Sequence, residues 1–399
     1  MRSAIVMASL LTLGCGSDNP VDPRGGGAGS VPLNLVGNGG VSERFTGEVW
    51  VSGSVAYTTT WGTRATAPGN AVKVWDVSSA VPTLVDSVIV PGATTLGDIQ
   101  ATDDGQLLIV ATERTGGSIM IYSLADPVKP QLITQYSTPL TFPGVHTAEV
   151  QRVNGKLYAF LSIDPGVGSP ARLVIVDIST PAAPVQVFTA VMGSPYVHDV
   201  FVRDGILFTA LWNDGITIWD IGGVGGGSVA NPIALGNVRT VGGDVHNVWW
   251  FHNAMTGEKR YAFVGEEGFG SVGFSSSGDI HVVDVSNFAT PREVAFYHLD
   301  GAGTHNFSVD EARGILYAAY YNGGVRAIDV KGDLSSCEAV NKSPDGRCDL
   351  AKMGRELAHG PDGVGPVYVW GVKLAGGDLY ASDMLNGIWK LRTVPVAPD

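Results

Sequence analysis

Leu173-Val174-Ile175-Val176-Asp177-Ile178-Ser179-Thr180-Pro181-Ala182-Ala183-Pro184 decides the fold, because copies of its first half return along almost the whole chain. An apolar run closing on Asp or a substitute recurs at residues 72–76, 119–123, 216–220, 280–284, 325–329 and 388–391. With the stretch quoted, that makes seven copies roughly 43 to 64 residues apart, a period found in propeller blades and in helical arrays. The runs are β-branched or aromatic and bounded by Gly, Pro, Asp and Asn, which reads as strand. No stretch after residue 40 sustains a helical period.

Two further strands precede each copy, as in His198-Asp199-Val200-Phe201-Val202, the turn Arg203-Asp204-Gly205, then Ile206-Leu207-Phe208-Thr209-Ala210. A strand introduced by proline follows, as in Pro184-Val185-Gln186-Val187-Phe188. Four short antiparallel strands repeated seven times predict an all-β, seven-bladed propeller, since radial repetition leaves few exposed sheet edges. The last unit ends near Arg392 without its outer strand. Val31-Pro32-Leu33-Asn34-Leu35-Val36 has the pattern of that strand, as in Val81-Pro82-Thr83-Leu84-Val85. The N-terminal strand is therefore expected to close the ring, giving one propeller over 31–393, an irregular insertion at about 331–362 and a tail at 394–399.

The motif from Val176 to Pro184, repeated more loosely at Val283-Asp284-Val285-Ser286-Asn287-Phe288-Ala289-Thr290-Pro291, resembles that of the LVIVD-repeat proteins. The resemblance spans roughly residues 31 to 393. It implies a bacterial propeller, often secreted or surface-anchored, and implies nothing definite about activity.

At 399 residues the chain could hold two or three ordinary domains, yet a repeat along its whole length argues for one. The formal net charge of −13 argues against nucleic acid or anionic lipid as a partner, because either needs a basic surface. Residues 1–15 have the charged start and short apolar middle of an export signal. Gly14-Cys15 resembles the end of a bacterial lipobox, although Thr12 stands where that motif usually has Leu, so Cys15 is the expected lipidation site and the membrane's only hold on the chain. An ordinary secretory signal remains the alternative. Residues 16–30 are a Gly-rich flexible tether. Cys337 and Cys348 then remain, and in an oxidising compartment a disulfide stapling the insertion is the favoured reading over a metal pair.

Aligned on its final apolar residue, the first strand of each unit places Gly47, Asp98, His146, His198, His246, His305 and Trp370 at one position. Four of the eight histidines thus fall in consecutive blades, at the expected mouth of the central channel, with adjacent positions roughly 6–8 Å apart. Imidazoles converging there suit Fe, Zn, Mn, Cu or Ni better than Ca or Mg. Asp98, Glu113, Glu266 and Glu267 are the candidate acids or bases, and Trp61, Trp212, Trp370 and Tyr321 are candidates for contacting a ligand. The competing explanation is duplication, which would put histidines in register merely to bond a neighbouring blade's backbone. His281 reads as packed, His359 could reach over the channel mouth, and Trp249-Trp250-Phe251 reads as interblade packing. No Walker loop, dinucleotide fingerprint, Gly-x-Ser-x-Gly elbow or HExxH motif is present.

Two functions fit. One is an exported, lipid-anchored binding or scaffold module of the cell envelope, with protein or glycan partners. The other is a metal-dependent enzyme with a histidine-lined axial site acting on a small organic molecule or glycan.

Overall fold

The computed structural model describes residues 23–395. The export signal with Cys15, the first part of the tether and the end of the tail lie outside them. The described chain forms a seven-bladed β-propeller of four-stranded antiparallel blades. The strands nearest the axis are Phe45–Ser52, Leu96–Ala101, Val145–Val153, Asp199–Arg203, Val245–Trp250, Phe307–Asp310 and Val369–Ala375. Each is followed outward by its successors in sequence, except that the outermost strand of blade seven comes from the N-terminal part of the chain.

The recurring apolar run is the third strand of each blade, and its lack of a polar face has a simple cause. Blades stand side by side, so both faces of this strand are covered. Val174 and Val176 pack against Ile109 and Ile121 of blade two. Leu173 and Ile175, on the other face, pack against Val200 and Leu207 of blade four. Full burial of each such side chain contributes about 1.5–3 kcal/mol. The same arrangement joins the two ends of the ring, where Val49, Val51 and Trp75 of blade one meet Tyr380 and Ile388 of blade seven.

The rest of the motif is turn chemistry. Asp177 accepts the backbone N–H of Ser179 at 3.0 Å, and Asp76 with Ser78 (2.9 Å) and Asp284 with Ser286 (3.1 Å) repeat the contact. A carboxylate bonding the backbone two residues on folds the chain out of one strand and into the next. The repeat signature therefore specifies a turn rather than a ligand.

Closure uses both chain ends, with a shift from the expected stretch. Leu35–Gly39 pairs with Gly387–Arg392, Leu35 opposite Leu391 and Gly39 opposite Ile388. Val31–Pro32 instead runs parallel to Glu356–Gly360 as a fifth strand of blade six. Buried Leu33 donates its N–H to His359 O at 2.6 Å where the chain crosses between the two blades.

The end of the 331–362 stretch is itself regular, since Glu356–Gly360 is the outer strand of blade six. Before it, Cys348–Asp349 adds parallel to Arg292–Tyr297 of blade five, and Cys348 is disulfide-bonded to Cys337. His359 consequently sits on the rim, 2.7 Å from Ser30 Oγ, and not over the channel mouth.

Candidate functional site

The site is built on a slip in strand pairing. At the start of the axial strands, register shifts between Thr46 and Val49, Val145 and Thr147, Val245 and Asn247, and Val369 and Gly371, and likewise around Gly97-Asp98. A β-bulge inserts one residue and re-aims the side chains beside it. Here two successive residues can face the channel. Aligned by pairing, one tier reads Gly47, Gly97, His146, His198, His246, His305 and Trp370. The tier below reads Glu48, Asp98, Thr147, Asp199, Asn247, Asn306 and Gly371. Asp98 therefore does not stand level with the histidines as the sequence alignment placed it; the bulge sets it one step further down. Gly97 takes the upper position because a Cβ there would stand 2.1 Å from the His146 carbonyl oxygen.

The four histidines form a continuous row. Ring centroids are 4.2 Å apart for His146 and His198, 4.3 Å for His198 and His246, and 4.0 Å for His246 and His305. His146 Nε2 lies 2.9 Å from His198 Nε2. His305 Nδ1 donates to the Trp370 carbonyl at 2.7 Å, which fixes its tautomer and leaves Nε2 as an acceptor. Burial, reinforced by neighbouring imidazoles, holds His198, His246 and His305 well below the ordinary histidine range, so all three are neutral at pH 7. His146 goes the other way. Burial works against its charge, but Glu113, Asp164, Glu267 and Asp98 together raise it. Its Nδ1 lies 3.7 Å from Glu113 Oε2 and 3.6 Å from Asp164 Oδ1.

Above the row opens a funnel of about 550 Å³. Trp61, Trp212, Trp370 and Phe269 wall it, with Glu113, Asp164 and Glu267 near its floor. Trp212 lies over His198 at 5.1 Å between centroids and 24° between planes. Trp61 donates its indole N–H to Glu113 Oε1 at 3.2 Å. Burial pushes Glu113 up to about 7, with Asp164 adding to the rise and His146 opposing it. Tyr321 is fully buried behind the row and donates its hydroxyl to Glu267 Oε1. Arg114, Trp212 and Tyr321, each just past a second strand, have φ of +66°, +53° and +39°. Left-handed backbone at a bulky residue costs of order 1–3 kcal/mol and collects at functional sites.

Glu266 and Glu267 part company. Glu267 faces the axis, whereas Glu266 turns into blade five and accepts from His281 Nε2 at 3.3 Å. His281, also bonded to Glu293 at 2.8 Å, is buried as expected but carries an ion-pair network.

Below the row a second chamber of about 490 Å³ continues along the axis. Sequence reading overlooked most of its groups. Glu48, Glu149, Asp199 and Lys373 line it with Trp50 and Phe201. Trp249, expected to pack between blades, also reaches it and bonds Glu311 at 3.2 Å. Burial raises Glu48 to about 7 and Asp98 to about 6, and Asp199 is raised well above its usual range by burial and then Asp98. Burial lowers Lys373 to about 8, and its ammonium lies 3.2 Å from the Trp50 ring centroid. A signal for this tier existed in the sequence, namely a polar residue one place after each histidine, Thr147, Asp199, Asn247 and Asn306, but reading it required knowing where the bulge falls.

Fold and site together define a closed propeller with a polar, histidine-floored funnel on its axis. The chain carries the LVIVD repeat, whose family model matches residues 167–190 in blade three. Among solved structures it is similar to the crystal structure of the Saccharomyces cerevisiae Sqt1, at 10% identity and a TM-score of 0.55, over 90% of this chain and 86% of that one. At that identity the likeness is one of fold. Comparison with curated proteins finds no match.

Proposed function

We propose that this chain is a ligand-binding module exported to the bacterial envelope and held there by lipid on Cys15, and that its ligand is a small organic molecule or glycan unit seated in the axial funnel. The observation that carries this reading is Trp212, held in left-handed backbone with its ring stacked over His198 at the base of a concave, aromatic-walled space. Concave pockets with aromatic walls and a few convergent polar groups are how small ligands are held. Three carboxyl groups against Arg114 favour a neutral or cationic ligand. A second reading, metal-dependent catalysis on the same ligand, draws on His146 between Glu113 and Asp164, groups able to exchange a proton at the funnel floor.

The test is a tryptophan-fluorescence titration of the purified protein with mono- and disaccharides and small aromatic amines. Saturable quenching by one class, lost in Trp212→Ala and weakened in Trp61→Ala, is the expected result. No saturable response to any of them, or equal binding by a folded Trp212→Ala variant, would reject the funnel as the site and turn the search to protein partners.

A further inference from the structure

Hydrogen bonding accounts for only part of the histidine row. The contact between His146 Nε2 and His198 Nε2 needs one proton. His198 Nε2 and His246 Nε2 then face a single carboxylate oxygen, Glu267 Oε2, at 3.5 and 3.8 Å. Those separations exceed the roughly 2.7–3.2 Å of an N–H···O bond. The other oxygen of Glu267 is already taken by the Tyr321 hydroxyl. On the far sides of the rings, His246 Nδ1 is buried without a hydrogen-bond partner among the described residues, and His198 Nδ1 has none in good geometry, its nearest being the His246 backbone. His198 and His246 are 7% and 3% exposed, so water reaches neither freely.

A gap bordered by two imidazoles and a carboxylate, too wide for hydrogen bonds, has the dimensions of a cation's first coordination sphere. Bonds of about 2.0–2.2 Å in tetrahedral geometry place donors about 3.3–3.6 Å apart. One donor atom from each of His198, His246 and Glu267 lies within 4.8 Å of the others, and two of the separations, 3.5 and 3.8 Å, lie within and just above that range. We infer that His198, His246 and Glu267 bind a divalent transition ion, with the fourth tetrahedral position facing the funnel.

Nitrogen-rich donors with one carboxylate select zinc or ferrous iron, and their nearest neighbours in the series, over calcium and magnesium. Tyr321 would act as a positioning residue by aiming Oε2 of Glu267 at the imidazoles. Hydrogen-bonded outer partners of this kind commonly change metal affinity by about 10–100-fold. Three tier positions occupied by Gly47, Gly97 and Trp370 leave the donors on one side of the axis, which keeps the opposite side open for a ligand.

The inference does not depend on what the funnel holds, and its test uses a different readout. The protein, prepared without a polyhistidine tag and stripped with chelator, is titrated separately with Zn²⁺ by calorimetry and with Co²⁺ by visible absorption. One equivalent should bind, with Co²⁺ giving ligand-field bands of nitrogen and oxygen coordination. His246→Ala and Glu267→Gln should each weaken binding by at least about 100-fold, and Tyr321→Phe by about 10-fold. His298→Ala, at an exposed histidine beside Asp279 and Asp300, should change nothing. Circular dichroism separates loss of the ion from loss of fold, and Tyr321→Phe serves where His246→Ala does not fold. Absence of a stoichiometric ion, or binding that survives Glu267→Gln and disappears with His298→Ala, overturns the assignment. The tryptophan titration can fail while this one succeeds, and the reverse.

Discussion

Glu149 offers the sharpest test of the lower chamber. Burial, with Asp98 adding to it and Lys373 opposing, raises its carboxyl from the ordinary 4.5 to about 8. The folded protein thus keeps a proton that the unfolded chain has already released. The stability from that proton is complete below pH 4.5 and is lost as pH rises toward about 8. The gap between those two values, at about 1.36 kcal/mol per pH unit, sets a ceiling of about 5 kcal/mol. Glu149 is only partly buried, and solvent screening brings the expected effect to about 2 kcal/mol. Glu149→Gln keeps the shape of the protonated acid and removes the titration. It should match the parent within about 0.5 kcal/mol at about pH 5 and exceed it by about 2 kcal/mol at about pH 8.5. At about 2.1 cal/mol/K of unfolding entropy per residue, this is a rise in Tm of about 2–3 °C. Urea and thermal unfolding at the two pH values measure it. A gain of equal size at both, or a variant that weakens as pH rises, would show that Glu149 is not a buried, uncompensated acid.

Ile175→Ala, at a fully buried position between blades three and four, should cost about 2–5 kcal/mol in urea unfolding, and a loss below about 1 kcal/mol would mean the interface is loosely packed. Burial opposes a charge on His281, but Glu266 and Glu293 outweigh it and raise the imidazole to about 9. Its contribution to stability should be full below about pH 6.5 and fade through about pH 9, with the ring titrating near that value by NMR; a midpoint below about 6.5 would contradict the ion-pair network.

The architecture was legible because it is written repeatedly. Any one of the seven apolar runs could be misread, but a shared period with shared turn residues could not. The histidine row was legible for the same reason, one residue type in one place across four blades. What escaped was local and geometric. Asp98 was assigned one position too high because a bulge is an event of backbone pairing with no residue signature of its own. Glu266 and Glu267 were indistinguishable in sequence, although adjacent strand residues point to opposite sides. One consequently pairs with His281 and the other faces the axis. Glu48, Glu149, Asp199 and Lys373 were not singled out, because only the closed ring turns that face of the strands inward.

Closure of the seventh blade by Leu35–Gly39 orders events in time as well as in space. The first strand of the ring to be synthesised is among the last that can find its place, since its partner, Gly387–Arg392, is made at the other end of the propeller. Pairings this distant in sequence carry the largest loop-closure cost and are slow. The waiting segment, Leu35-Val36-Gly37-Asn38-Gly39, is short, and its two glycines and asparagine make it a poor template for pairing with the wrong chain. Six blades can stack as the chain grows. The seventh acts as a completion check that only a chain reaching Gly387–Arg392 passes.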